Sequence, residues 1–254
     1  MKLTVIGCAG SFPGPDSPAS CYLVEAPFEG RTYRLLLDLG SGALGNLQRF
    51  CDLRDIDAVA LSHLHADHCF DMSGLYVFSK YHPQGALAQI PVHAPVGAAD
   101  FLACAYGTHE PAGMTEQFDF QGWQDGATVR LGPFTVTSVL VEHPVPAYAL
   151  RVATASHSLT YSGDTGPTEA LVELAAGSDL FLCEASFVES ATNPPNLHLT
   201  GAEAGDYATR AGVGRLLVTH IPGWTDRAEV ESDVTGRWTG PYDLVNAGSS
   251  YDLG

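Results

Sequence analysis

The chain has 254 residues, 45% hydrophobic and 16% charged, with 27 glycines and 16 prolines, which is the balance of a turn-rich globular protein and not of a disordered one. Its formal net charge is −17, from 12 basic and 29 acidic side chains, and no stretch carries a basic cluster, so a long nucleic acid is not an expected partner. The longest apolar runs, such as "RLLVTHI" and "DLFLCEA", fall far short of the roughly 20 residues of a membrane span, so no membrane association is expected either.

The start, "MKLTVIGCAGSF", has an apolar stretch of about five residues before Cys8, too short for the ~7–15-residue core of an export signal. It reads as a first strand and a glycine turn, and a cytoplasmic location is expected. "CYLVE" and "YRLLLDLG" are strands, and "GALGNLQRFCD" is a helix with Leu44, Leu47 and Phe50 at helical spacing. "DAVALS" is a buried strand, "MSGLYVFSKYH" a short amphipathic helix, "PVHAP" a strand and "VGAADFLACAYG" a helix. Residues 108–126, "THEPAGMTEQFDFQGWQDG", lack periodicity and read as a loop beside a site. "ATVRLG", "FTVTSVLVEH", "AYALRVA" and "SLTYSGD" are strands, and "PTEALVELAAG" is a helix closed by Gly177. "DLFLCEAS" is a strand, and "TGAEAGDYATRAG" a helix with a capping-box start, Thr200 to Glu203. "RLLVTHI" is a strand, "TDRAEVESDVTGRW" a helix and "YDLVNAG" a last strand. No linker or repeat interrupts this order, so residues 1–254 are expected to form one α/β domain. Two similar halves would stack sheet on sheet with helices outside.

Six cysteines, at 8, 21, 51, 69, 104 and 183, form no C-x-x-C pair and are expected to be free, mostly buried thiols. Cys69 adjoins His68, but a small buried residue is the expected reading there.

Four apolar runs end on potential metal ligands. "AVALS" runs into His63-x-His65-x-Asp67-His68, "TVTSVLVE" into His143, "LTYSG" into Asp164 and "LLVT" into His220. Strand ends that share one sheet edge can bring such groups together on a rigid scaffold. The set suits two ions: His63, His65 and His143 at one, Asp67, His68 and His220 at the other, and Asp164 bridging through its two oxygens. Two divalent ions, two carboxylates and one hydroxide leave a net positive core, which favours a small anionic ester. Zinc is the expected metal, with manganese and iron as alternatives for the same donors. Asp38 either orients a ligand histidine or caps a turn. Trp224 either stacks a purine or packs as a surface aromatic. His82, His93, His109 and His157 have no partner pattern and read as structural or solvated.

"HLHADH", with "DLGSG" upstream and then His143, "SGDTG" and "LVTHI", resembles the metallo-β-lactamase superfamily nearly end to end. The resemblance implies an αββα sandwich, two sheets face to face with helices on the outer faces. "DHCFDMSGL", "SGDTG", "CEASF" and "HLTGAEAG" resemble the ribonuclease Z branch more narrowly. There, the glutamate matching Glu184 and the histidine matching His198 accompany the metals, and the histidine helps protonate the leaving oxygen. Asp67, Glu184 and His198 are therefore the implied catalytic residues. Ribonuclease Z carries a long tRNA-binding arm between the ligands matching His143 and Asp164, whereas only twenty residues separate them here. "GPDSPAS", "LSHLHADHC", "YHP", "TYSGDTG", "FLCEAS", "LHLTGAEAG" and "LLVTHIPGWT" resemble an actinobacterial group of cyclic AMP phosphodiesterases. The implied activity is hydrolysis of 3′,5′-cyclic AMP to 5′-AMP by a metal-bridging hydroxide. The alternatives are a ribonuclease Z-like endoribonuclease, or a hydrolase of lactones or other esters. A homodimer is the family-based expectation.

Overall fold

Leu35 and Leu37 face one hydrophobic core while Leu36 faces another, and all three are fully buried. A strand sends successive side chains to opposite faces, so an unbroken apolar run marks a sheet covered on both sides. The computed structural model describes residues 1–108, 114–190 and 192–253.

The first half supplies β1 (Lys2–Gly7), β2 (Ala9–Gly10), β3 (Cys21–Phe28), β4 (Arg31–Leu37), α1 (Ala43–Leu47), β5 (Ala58–Ala60), α2 (Ala66–Cys69), α3 (Met72–Tyr81), β6 (Ile90–Ala94), α4 (Ala98–Tyr106) and β7 (Phe118–Gly122). The second half supplies β8 (Thr128–Leu131), β9 (Phe134–Val141), β10 (Ala147–Ala153), β11 (Ser158–Tyr161), α5 (Glu169–Ala175), β12 (Leu180–Glu184), α6 (Gly201–Ala211), β13 (Arg215–Thr219), β14 (Ile221–Pro222), α7 (Arg227–Thr235), β15 (Tyr242–Leu244) and β16 (Ser250–Asp252). One seven-stranded sheet has the order β16-β1-β3-β4-β5-β6-β7, and the other β15-β13-β12-β11-β10-β9-β8. The short strands β2 and β14 pair with each other.

The two sheets share a core in which Leu35, Leu37, Ala58 and Ala60 of the first meet Phe134, Val136, Leu150, Leu182 and Leu217 of the second. The opposite face of the first sheet, with Leu36, Val59 and Val92, is covered by Leu47, Met72, Leu75 and Leu102 of its helices. The outer face of the second, with Phe181, Cys183 and Val218, is covered by Leu171, Tyr207, Ala208, Val230 and Val234. The architecture is therefore αββα. Truncating a buried leucine such as Leu182 to alanine at this centre would cost about 2–5 kcal/mol in lost transfer energy and cavity.

Several elements depart from the sequence reading. The expected helix at 42–52 holds only over Ala43–Leu47. Its next turn tightens, with Phe50 N–H bonded to Leu47 O, and Phe50 stays exposed. The stretch 108–126, expected as a loop, contains β7, which pairs parallel to β6 at a sheet edge. Only one covered face is needed there, so the apolar alternation is weak. Residues 109–113 of that stretch, including His109, lie outside the described residues. β16 was not anticipated and closes on β1. The capping box at Thr200 and Glu203 is present, and all six cysteines are free. Cys69 sits in the core, where burial raises its thiol to about 12. Among the described residues no helix is long and apolar enough to cross a membrane.

Candidate metal centre

β4 and β5 run parallel, as do β11, β12 and β13, while β9 and β11 are both antiparallel to β10. The C-terminal ends of these strands deliver Asp38, His63, His143, Asp164, Glu184 and His220, while His65 stands at the start of α2 and Asp67 and His68 within it. That helix is held against Gly40. A Cβ at position 40 would lie 1.9 Å from Asp67 O, so only glycine lets the two backbones meet. Asp38 and His220 both have left-handed backbones, with φ of 59° and 57°. Non-glycine residues hold that conformation only where the surroundings over-determine it, and such strain clusters at functional sites.

The side chains converge as two joined clusters. One comprises His63, His65, His143 and Asp164, the other Asp67, His68, Asp164 and His220; within each, the ligand atoms lie within 4.8 Å of one another. His63 Nε2 and His143 Nε2 both stand 3.1 Å from His65 Nδ1. His68 Nε2 and His220 Nε2 are also 3.1 Å apart, and His220 Nε2 is 3.1 Å from Asp67 Oδ2. Asp164 faces both clusters: Oδ2 is 3.7 Å from His63 Nε2, and Oδ1 is 3.2 Å from His68 Nε2 and 3.4 Å from His220 Nε2. The second cluster is wholly buried, whereas His65 and His143 of the first are half-buried. The centre thus opens on the first cluster's side.

The outward nitrogens fix which ring atoms face inward. His68 Nδ1 lies 2.7 Å from Asp38 Oδ2, and His143 Nδ1 lies 3.0 Å from Leu197 O, and neither partner can donate. Ser62 Oγ donates to Asp38 Oδ2, so it accepts from His63 Nδ1 at 3.0 Å. Ser186 Oγ donates to Glu184 Oε2 or His220 O and accepts from His220 Nδ1 at 2.8 Å. These assignments follow from what each partner can donate or accept. All four rings therefore carry a proton on Nδ1 and turn Nε2 inward, bare in the neutral rings and available in His68 once its second proton is displaced. His65 presents Nδ1.

Converging lone pairs need a shared electrophile. Buried Asp164 Oδ1 accepts no hydrogen bond although two imidazoles lie beside it. Burial lowers the pKa values of His63, His65 and His143, which keeps them neutral. Burial opposes ionisation of Asp67 and Asp164, but the neighbouring imidazoles hold both carboxyls well below the usual range. Burial also lowers His68, yet Asp164 and Asp38 outweigh it and raise that ring well above its ordinary value. Deprotonated carboxylates and neutral imidazoles are the donor forms a divalent cation binds, and an ion displaces the His68 proton. The residues present fit such ions.

Beside the clusters, His198 Nδ1 lies 2.9 Å from Glu184 Oε1. Glu184 is pinned by the Thr165 amide at 2.7 Å and Ser186 Oγ at 3.0 Å. Burial pulls the His198 pKa down, but the Glu184 carboxylate reverses this and raises it to about 9. Its ring centre is 5.7 Å from that of His143 and 5.4 Å from that of His220. All nine candidate residues named from the sequence therefore meet at one place, and Asp38 takes the orienting position. The sequence reading passed over Ser62, Ser186, Tyr161 and the Leu197 carbonyl. Ser62 and Leu197 each precede a named histidine, and Ser186 follows Glu184 by two, so proximity was the available signal.

Residues 33–221, an interval that holds all these histidines and carboxylates, match the family model described as a β-lactamase superfamily domain. The chain is 46% identical to the Mycobacterium leprae protein ML1173, across all of this chain and 89% of that one. It is 29% identical to the probable metallo-hydrolase YhfI of Bacillus subtilis over 98% of both chains, and the YhfI crystal structure superposes with a TM-score of 0.84 over 99% of each. It is 27% identical to ribonuclease Z of Mycobacterium bovis, over 93% of this chain and 94% of the enzyme.

Proposed function

This chain belongs to the metallo-β-lactamase superfamily, in its ribonuclease Z-like branch, and from that premise we propose that it is a phosphodiesterase of small nucleotides, hydrolysing 3′,5′-cyclic AMP to 5′-AMP. His63, His65 and His143 would hold one divalent ion and Asp67, His68 and His220 a second, with the Asp164 carboxylate facing both. Zinc is our assignment for a donor set dominated by imidazole, and Mn²⁺ and Fe²⁺ are the alternatives. Bound there, the ions would acidify water to a nucleophile near neutral pH and draw charge from the phosphoryl oxygens.

The observation that carries the reading is the His198–Glu184 pair at the edge of the clusters. A ribose oxygen leaving phosphorus needs a proton. His198 is held at Nδ1 by a buried carboxylate, its pKa is raised to about 9, and Nε2 is engaged by no described residue. The ring is thus protonated at neutrality and supplies that proton as general acid. Asp38 keeps His68 from turning, and Ser186 links His220 to Glu184, so the ligand cluster and the acid share one scaffold. His65 and His143 lie on the open side, where substrate enters.

Two further observations support a small substrate. Residues 144–163 are taken up by the β10–β11 hairpin, with Ala153 opposite Ser158 across a four-residue turn, so this interval has no length for an RNA-binding arm. The net charge of −17 repels a polyanion, while a single phosphate answers to the local field of the site. The 27% identity to a ribonuclease Z favours the second reading, an endoribonuclease. Purified protein of known metal content, assayed on cyclic AMP, a tRNA precursor, and model lactones and β-lactams, separates the readings. The expected result is metal-dependent formation of 5′-AMP with slow or undetectable tRNA processing. Efficient 3′ trimming of tRNA without cyclic-nucleotide turnover would reverse the order.

A further inference from the structure

Phe12 and Trp224 stand with ring centres 4.9 Å apart at 41°, and they are 44% and 70% exposed. Neither ring joins any of the three cores. Phe70 and Phe101 form another exposed aromatic pair, and what distinguishes Phe12 and Trp224 is their backbone link to a candidate ligand.

Both rings are tied to the candidate metal centre through the backbone. β2 and β14 pair with Ala9 opposite Ile221 and Gly10 opposite Pro222. A Cβ at position 10 would lie 2.3 Å from His220 O, so this contact is closed as only glycine allows. The next residue, Ser11, has φ of 64°, and its N–H points at His220 Nε2 from 3.4 Å. Phe12 is therefore one residue from an amide that touches a candidate ligand, and Trp224 is four residues beyond that ligand. The strained turn at Ser11 and the β2–β14 pair set the two rings side by side on the segments that flank His220.

We propose that Phe12 and Trp224 form the subsite that stacks the planar base of a nucleotide whose phosphate lies in the metal centre. This rests on the phosphodiesterase reading of that centre. Division of labour supports it. The ions and His198 answer to the charged, reacting end of the substrate, while the rest of a nucleotide offers a sugar and a flat π-face. An uncharged aromatic platform takes any base by its face and gains nothing from a bare sugar phosphate. Stacking of a base on an aromatic side chain is worth roughly 5- to 100-fold in affinity.

Binding of 5′-AMP and of ribose 5-phosphate to metal-loaded protein, measured by equilibrium dialysis, tests the platform without turnover. The intact protein should prefer 5′-AMP by roughly tenfold or more. Trp224→Ala should erase that preference, Phe12→Ala should reduce it, and Trp224→Phe should keep most of it, with ribose 5-phosphate affinity unchanged in all three. Equal affinities in the intact protein, or a preference that survives Trp224→Ala, would overturn the assignment. A base preference without hydrolysis of any phosphodiester would instead fault the function reading and leave the subsite standing.

Discussion

Asp38 Oδ2 lies 2.7 Å from His68 Nδ1, and it also accepts from the hydroxyls of Ser62 at 2.8 Å and Tyr161 at 2.7 Å, all in full burial. Its second oxygen accepts the Ser62 amide at 2.6 Å. One carboxylate therefore orients a candidate ligand and ties together the C-terminal ends of β4, β5 and β11. Asp38→Asn keeps the shape but removes the charge opposite His68. It should weaken metal binding about 10- to 100-fold, as loss of a ligand's outer partner generally does. Asp38→Ala also strands buried donors at about 1–3 kcal/mol each and should lower thermal stability further. Metal competition against a chromophoric chelator reads the first effect, and unchanged affinity in both variants would remove Asp38 from the centre.

Asp164 touches both clusters through different oxygens. Protein prepared without chelators should carry between one and two equivalents of a transition metal. Asp164→Ala should lower that occupancy and abolish turnover, with far-UV circular dichroism unchanged. Near-normal hydrolysis by this variant would show that the bridge is misassigned.

His198→Ala should keep its metals and lose about 10²–10⁴-fold in kcat, the range for a general acid. The loss should shrink for a nitrophenyl phosphodiester, whose leaving group departs without a proton. Sign also matters in the pH profile. A general acid works while protonated, so the rate should fall as pH rises through the His198 pKa, which Glu184 raises to about 9 against burial. Glu184→Gln removes that charge and should move the alkaline limb to lower pH. An equal loss on both substrates with the limb unmoved would assign His198 a structural role.

The site was more legible than its surroundings. Each ligand follows an apolar run, and parallel strands carry their ends to one edge, so "LSHLHADH", His143, Asp164 and His220 could be paired by order alone. The sheet-on-sheet layering was legible in the order of elements, strand clusters followed by helices in each half, and the αββα form in the family resemblance. Edge elements were not. β7 and β16 each need little apolar sequence, because a neighbouring strand supplies their hydrogen bonds and only part of each is buried. The left-handed backbones of Asp38, Ser11 and His220 were also invisible, because residues other than glycine give no local signal for them.

The inward nitrogens of neutral His63, His65 and His143 crowd their lone pairs together unless a cation lies between them. Folding and metal binding should therefore be linked. Chelated protein should unfold at lower temperature, and zinc at about 100 times its Kd should add about 2.7 kcal/mol. For a chain of this length that corresponds to roughly 5–10 °C in Tm. The rise should be much smaller in Asp164→Ala, which loses the carboxylate shared by both clusters. His82→Ala, at a half-buried histidine outside both clusters whose ring meets Phe78, should respond to zinc as the unmutated protein does. A Tm indifferent to zinc, manganese and iron across these variants would mean that the clustered imidazoles are held by protons alone, and the metal assignment would fall with it.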